Sequence, residues 1–133
     1  MIVVDTSALM AIVLDEPRAS DCSAVLERET DVAISAVNLA EALIVAERRG
    51  CAEQIAAIIF LLGFEVVPVT EASARGVAAA YARWSRGAHP ARLNFGDCFA
   101  YELACERGCP LLFVGDDFAA TDVRSALKDS PAR

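Results

Sequence analysis

Four acidic positions in this chain sit where chemistry, more than solubility, would want a carboxylate. Asp5 ends the apolar run Ile2-Val3-Val4, and the pair Asp116-Asp117 follows Leu111-Leu112-Phe113-Val114 through Gly115. Continuous β-favouring runs of this kind suit parallel strands covered on both faces, and in open α/β sheets the ligand crevice lies just beyond the strands' carboxyl ends. Glu41 falls at helical spacing with Val37, Ile44 and Val45, which predicts a carboxylate on an inward apolar stripe. Asp97 stands three residues after Asn94 and shares a face with Ala100, Tyr101 and Ala104. Each acid also has an ordinary explanation: a turn or cap for Asp5 and Asp116-Asp117, an arginine partner or the margin of the stripe for Glu41, and the helix dipole for Asp97. Together they can build one negative pocket, in which like charges cannot all stay ionised without a counter-charge. Mg²⁺ or Mn²⁺ would supply it, because hard divalent cations take oxygen ligands, keep several waters, and suit a cluster lacking His and Cys. Such a site typically handles phosphate esters.

Positioning these acids requires alternating strands and helices. The pattern predicts strands over 2–4, 32–34, 65–69 and 111–114. Thr6 or Ser7 is a candidate cap for a helix over 8–14, and Pro17 opens a second helix running to about Arg28. Ser35 caps a helix over 36–49 closed by Gly50, a further helix spans 51–62, and Thr70-Glu71 open the helix that carries Trp84. Asn94 caps the last helix, over 95–107. Strands spaced by helices imply a three-layer α/β/α sandwich around a central, mostly parallel sheet of four to five strands. At 133 residues the chain is expected to form a single domain over 1–133, with 128–133 a loose tail.

Composition narrows the class. Hydrophobic residues make up 56% of the chain and charged residues 23%, values typical of a buried globular core. The N-terminus lacks a basic segment and is interrupted by Asp5, which argues against a signal peptide, and the longest apolar run, 55–64, is too short to cross a bilayer. A cytoplasmic protein is expected, with no membrane partner. The five cysteines, Cys22, Cys51, Cys98, Cys105 and Cys109, show no paired zinc-ligand spacing and read as reduced core residues, with Cys98 and Cys105 on one helix face.

The segments Ile2-Val3-Val4-Asp5-Thr6-Ser7-Ala8-Leu9, Asn38-Leu39-Ala40-Glu41-Ala42, Leu93-Asn94-Phe95-Gly96-Asp97-Cys98 and Leu112-Phe113-Val114-Gly115-Asp116-Asp117-Phe118 together resemble the PIN domain, and more narrowly the VapC-type ribonuclease toxins of prokaryotic toxin-antitoxin operons. The resemblance spans residues 1 to about 125 in order and spacing. It implies an Mg²⁺- or Mn²⁺-dependent endoribonuclease with one or two ions held among Asp5, Glu41, Asp97 and Asp116 or Asp117, the choice between the last two being open. One ion on Asp5 and Asp97 is the minimum, and a second, on Glu41 or Asp116/Asp117, would bind when RNA bridges the site. Thr6 or Ser7 would steady the Asp5 carboxylate or a metal-bound water, and Asn38 belongs to the supporting set. The resemblance also implies a homodimer held inactive by a cognate antitoxin protein.

A net charge of −7 argues against a nucleic-acid partner, since phosphate contacts call for Lys and Arg. The distribution softens that: between residues 82 and 96 there is no acid, while Arg83, Arg86, His89 and Arg92 form a basic stretch ahead of Asp97. Trp84 within it is a candidate for stacking on an RNA base, or else packs in the core or at a dimer contact. His89, the only histidine, reads more readily as an ordinary loop residue than as a catalyst. Other classes fit less well. A haloacid-dehalogenase-like phosphatase needs a second Asp where Ser7 stands, and a response-regulator receiver needs a late lysine, whereas the only lysine here is Lys128. A catalytically silent PIN-like RNA- or protein-binding module is the alternative.

Overall fold

The computed structural model describes residues 1–127; the expected tail over 128–133, Lys128 included, lies outside the described residues. Four strands, β1 (Ile2–Val4), β2 (Val32–Ser35), β3 (Glu65–Val67) and β4 (Leu111–Leu112), form one parallel sheet in the order β3-β2-β1-β4. The strands read as unbroken apolar runs because both faces are covered. Ile2, Val4, Ile34 and Leu112 face one way into a core closed by α1 (Thr6–Val13), α2 (Ala19–Arg28), α3 (Ala36–Arg48) and α4 (Ala52–Leu61). Val3, Ala33, Leu111 and Phe113 face the other way, against α5 (Glu71–Trp84) and α6 (Phe95–Arg107). This is the three-layer sandwich that the pattern predicted. A fifth sheet position exists in rudiment, where Ser125 bridges Leu111 with backbone hydrogen bonds of 2.8 Å on either side.

Where boundaries differ from expectation, the cause is local. β3 stops at Val67 because Pro68 has no N–H to continue the ladder. β4 leaves the sheet after Leu112 because its neighbour β1 has ended; the Val114 amide instead donates to Ser7 Oγ at 3.0 Å. α2 begins only at Ala19, after Pro17, and has no side-chain cap. α1 begins at Thr6, and its cap is Asp5 itself, whose Oδ2 accepts from the Ser7 amide at 3.0 Å. α6 runs over the expected residues and ends on Gly108, whose φ of +61° suits a residue without Cβ. Cys22, Cys51 and Cys98 are buried as expected, but Cys105 is exposed and Cys109 half-buried. Among the described residues no helix is long and apolar enough to cross a membrane.

Candidate active site

β1 delivers Asp5 to the carboxyl edge of the sheet, where its amide donates to the Leu112 carbonyl of β4 at 2.9 Å and β2 ends on Ser35. Asp5 is only 4% exposed. One of its oxygens caps α1, while the other, Oδ1, is buried without a hydrogen-bond partner among the described residues. An orphaned buried carboxylate oxygen is costly, so it marks a position reserved for something else. Burial, reinforced by the charge of Glu41, holds the Asp5 carboxyl above its ordinary range in spite of the hydrogen bonds from Ser7.

Glu41 reaches the same edge from α3, but not by the route its spacing suggested. The inward face of α3 is Asn38, Ala42 and Ala46, whereas Ile44 and Val45 are 55% and 38% exposed, so the predicted apolar stripe is not a buried one. What holds Glu41 is a polar network. Its Oε1 accepts from Asn38 Nδ2 at 2.9 Å and lies 3.0 Å from the Thr6 hydroxyl, which is also 3.0 Å from the Asn38 carbonyl oxygen. Asn38 is fully buried and donates as well to the Gly96 carbonyl at 3.0 Å, tying α3 to the first turn of α6. Gly96 is required there: a Cβ at this position would fall 2.6 Å from Glu41 Oε1 and closer still to Oε2. Thr6 therefore steadies Glu41, and Ser7 steadies Asp5 through its amide and the end of β4 through its hydroxyl.

Asp97 arrives at the N-terminus of α6, in a reciprocal capping box with Asn94. The Asn94 amide donates to Asp97 Oδ2 at 3.0 Å and the Asp97 amide to Asn94 Oδ1 at 2.8 Å. Partial burial pushes the Asp97 carboxyl up to about 6, against the Asn94 hydrogen bond and with the charges of Asp5, Asp117 and Glu41 adding to the rise. Four carboxylates from four segments thus share one field. Of the acidic pair, the charge of Asp117 contributes to that rise, and the Asp116 carbonyl accepts from Ala119 at 3.2 Å as the short 3₁₀ turn begins. Both are exposed.

None of these four carboxylates forms an ion pair among the described residues. Nor do any three His, Cys, Asp or Glu side chains among them close into a ready-made metal cage. The donor set is all oxygen, with an unsatisfied inner oxygen on Asp5 and an exposed member in Asp117. That fits a cation such as Mg²⁺, usually held by one or two carboxylates with water and substrate oxygens completing its shell, better than one needing a closed protein cage.

The pH dependence of the metal-free protein follows. The folded state holds the Asp97 proton more tightly than the unfolded chain, whose carboxyl keeps its ordinary value near 3.8. This contribution to stability is fully present below about pH 4 and is lost as pH rises through about 6, so Tm in EDTA should fall across that window and Asp97→Asn should flatten the slope. Thermal melts at fixed ionic strength measure it; an unchanged slope in the variant contradicts the assignment.

The basic stretch is placed less uniformly. Trp84 is 5% exposed, its ring 4.6 Å from His89, 5.9 Å from Tyr101 and covered by the Arg83 guanidinium at 4.3 Å. It is a core residue and not a stacking platform; at the end of α5 its inward register overrides the polar sequence around it. Arg83 also reaches Asp122 at 3.8 Å. Arg86, His89 and Arg92 line a shallow hollow of about 530 Å³ in the loop before α6, and His89 Nδ1 accepts from the Ala91 amide at 3.0 Å. Two residues of the site region escaped the sequence. Gly96 had a signal, a glycine inside a well-capped helical turn, whereas Asp122, which accepts a short hydrogen bond from Tyr101 of α6, had none.

Comparison with known proteins agrees with this architecture. The PIN domain family model matches residues 2–124. The chain is 44% identical over 128 residues to VapC ribonuclease Mb2780c of Mycobacterium bovis, covering 93% of this chain and 98% of the relative. It is 42% identical over 129 residues to Ribonuclease VapC28 of Mycobacterium tuberculosis, covering 94% and 97%. The crystal structure of Mycobacterium tuberculosis VapC20, described as a sarcin-ricin loop cleaving toxin, superposes with a TM-score of 0.79 at 21% identity, covering 96% of this chain and all of that one. A toxin-antitoxin complex from Klebsiella pneumoniae gives 0.69 at 18% identity, covering 92% and 93%.

Proposed function

The chain belongs to the PIN domain family, and on that premise we propose that it is a VapC-type endoribonuclease toxin that hydrolyses RNA phosphodiester bonds with Mg²⁺ or Mn²⁺ in the cytoplasm. The observation that carries the reading is the buried Asp5 Oδ1, unpartnered among the described residues, in a field of acids that form no ion pair among those residues. Asp5 and Asp97 would hold the ion, Glu41 and Asp117 completing the acidic wall. When bound, it supplies a water of lowered pKa and neutralises charge growing on the phosphoryl oxygens. The chain's own contribution is placement. Asp5 is fixed by its capping bond, Glu41 by Thr6 and Asn38, and Asp97 by Asn94. The hollow bearing Arg86, His89 and Arg92 precedes α6 and suits the RNA backbone.

Regulation by an antitoxin and assembly into a homodimer belong to the same proposal. Both call for apolar surface, and the structure offers it on α3 and α4, where Ile44, Phe60 and Leu61 are 55%, 83% and 76% exposed.

Purified protein incubated with single-stranded RNA should cleave it in Mn²⁺ and not in EDTA; inert protein in both would favour a silent PIN-like module instead. Arg86→Ala and Arg92→Ala should each raise KM and lower the salt dependence of binding by about one counterion. Arg83→Ala should act less, because that guanidinium is engaged with Trp84 and Asp122. Undiminished cleavage in both Arg86 and Arg92 variants contradicts this assignment of the RNA path.

A further inference from the structure

We propose that Phe95 is the surface on which an RNA base stacks beside the acidic site; the inference rests on the ribonuclease reading. Phe95 is the first residue of α6 and is 64% exposed, while Trp84, Phe99 and Tyr101, the other aromatic residues of this region, are buried. Its chain neighbour is Gly96, where a Cβ would collide with the Glu41 carboxylate, and Asp97 follows. Phe95 therefore stands at the same end of α6 that carries Gly96 and Asp97 to the candidate site. Helix geometry does not demand an aromatic there, since the Asn94–Asp97 capping box already starts α6. Nor is the ring loose. It meets Phe99 edge-on, with centroids 4.9 Å apart and planes at 70°, which sets its orientation while most of its surface faces water.

A pre-oriented, exposed ring on the helix end that carries Asp97 is matched by a ligand that carries a flat π face and phosphates together. Base-on-aromatic stacking is tolerant of sequence because every base has such a face. Arg92, exposed three residues upstream, can take the adjoining phosphate. The substrate class this selects is RNA with an unpaired or extruded base near the scissile bond, since a base stacked within a duplex offers no free face. Phe95 is flanked in sequence by Asn94, Gly96 and Asp97, whereas the exposed apolar side chains Ile44, Val45, Phe60, Leu61 and Leu62 lie on α3 and at α4 and its C-cap. That distribution favours a nucleic-acid contact over a protein contact at this residue.

The test uses the full chain with a short single-stranded oligoribonucleotide carrying 2-aminopurine, mixed by stopped flow in Mn²⁺. Quenching is read in the first phase, before hydrolysis, and cleavage in the second. Wild-type protein is expected to quench and then cleave. Phe95→Leu, which keeps an apolar contact for Phe99 but has no π face, should lose the quench and raise KM roughly tenfold or more with Tm and Mn²⁺ affinity unchanged. Phe95→Trp should restore both signals. Cleavage by wild type with no quench, or an equal quench and KM in Phe95→Leu, overturns this inference alone. Failure of wild type to cleave at all overturns the ribonuclease reading and this inference with it. Altered sedimentation of Phe95→Leu with unchanged RNA binding assigns the ring to a protein contact and likewise overturns it.

Discussion

Asp5→Asn is expected to lower RNA cleavage by at least roughly a hundredfold while raising the stability of the metal-free protein. The two effects have one origin. Asp5 is buried, its Oδ1 lacks a partner among the described residues, and burial together with the charge of Glu41 opposes ionisation. Asparagine removes that charge and still caps α1, since an amide oxygen can accept from the Ser7 amide as the carboxylate does. The gain in stability is what distinguishes a carboxylate kept for function from one kept for structure, whose loss would weaken the fold. On the other side, a ligand to a divalent ion contributes several kcal/mol of transition-state stabilisation, which corresponds to a hundredfold or more in rate. Added Mn²⁺ should therefore stabilise wild type, by about 2.7 kcal/mol at a hundredfold excess over its Kd, and leave Asp5→Asn almost unmoved. Melts with and without Mn²⁺, beside a cleavage assay, measure all three. A variant that is both active and less stable would falsify this account of Asp5.

Gly96→Ala carries the second large effect. Substituting alanine in a helical turn normally helps by up to about 1 kcal/mol. Here the added methyl would come within 2.6 Å of Glu41 Oε1, and Glu41 cannot swing aside without giving up its bonds to Asn38 and Thr6. The expected result is a loss of about 1–3 kcal/mol of stability, in the range of overpacking, together with a fall in cleavage as Glu41 leaves its place. The cause can be isolated. In a Glu41→Ala background the clash is gone, so Gly96→Ala should cost nothing or stabilise, and the double-mutant cycle should show a strong coupling between the two positions. Equal costs of Gly96→Ala in both backgrounds would mean that the glycine serves some other purpose.

These two positions also show how far the sequence could be read. Asp5 and Asp97 were legible because local rules place them: an apolar run ending on an acid, and an Asn-x-x-Asp start to a helix whose limits the structure reproduces at Phe95–Arg107. Glu41 was singled out from a stripe that proved exposed, since the buried face of α3 consists of Asn38, Ala42 and Ala46, and only the packing of α3 against α1 and α6 selects it. Trp84 was readable either as an RNA contact, from its basic neighbours, or as a core or dimer residue, and the register of α5 turns it into the core. The choice between Asp116 and Asp117 rests on the conformation of the loop after β4, which two adjacent identical residues cannot encode visibly. Asp122 and Phe95 acquire their surroundings through tertiary structure alone: one by meeting Tyr101, the other by remaining in solvent at the start of α6.

A calorimetric titration of Mn²⁺ into the metal-free protein at pH 7 probes the acidic site itself, independently of any RNA. Saturable binding of one or two ions by wild type, abolished in Asp5→Asn and sharply weakened in Asp97→Asn, is the predicted result. Absence of binding in wild type, or binding unaffected by either substitution, would contradict a metal centre built on these carboxylates.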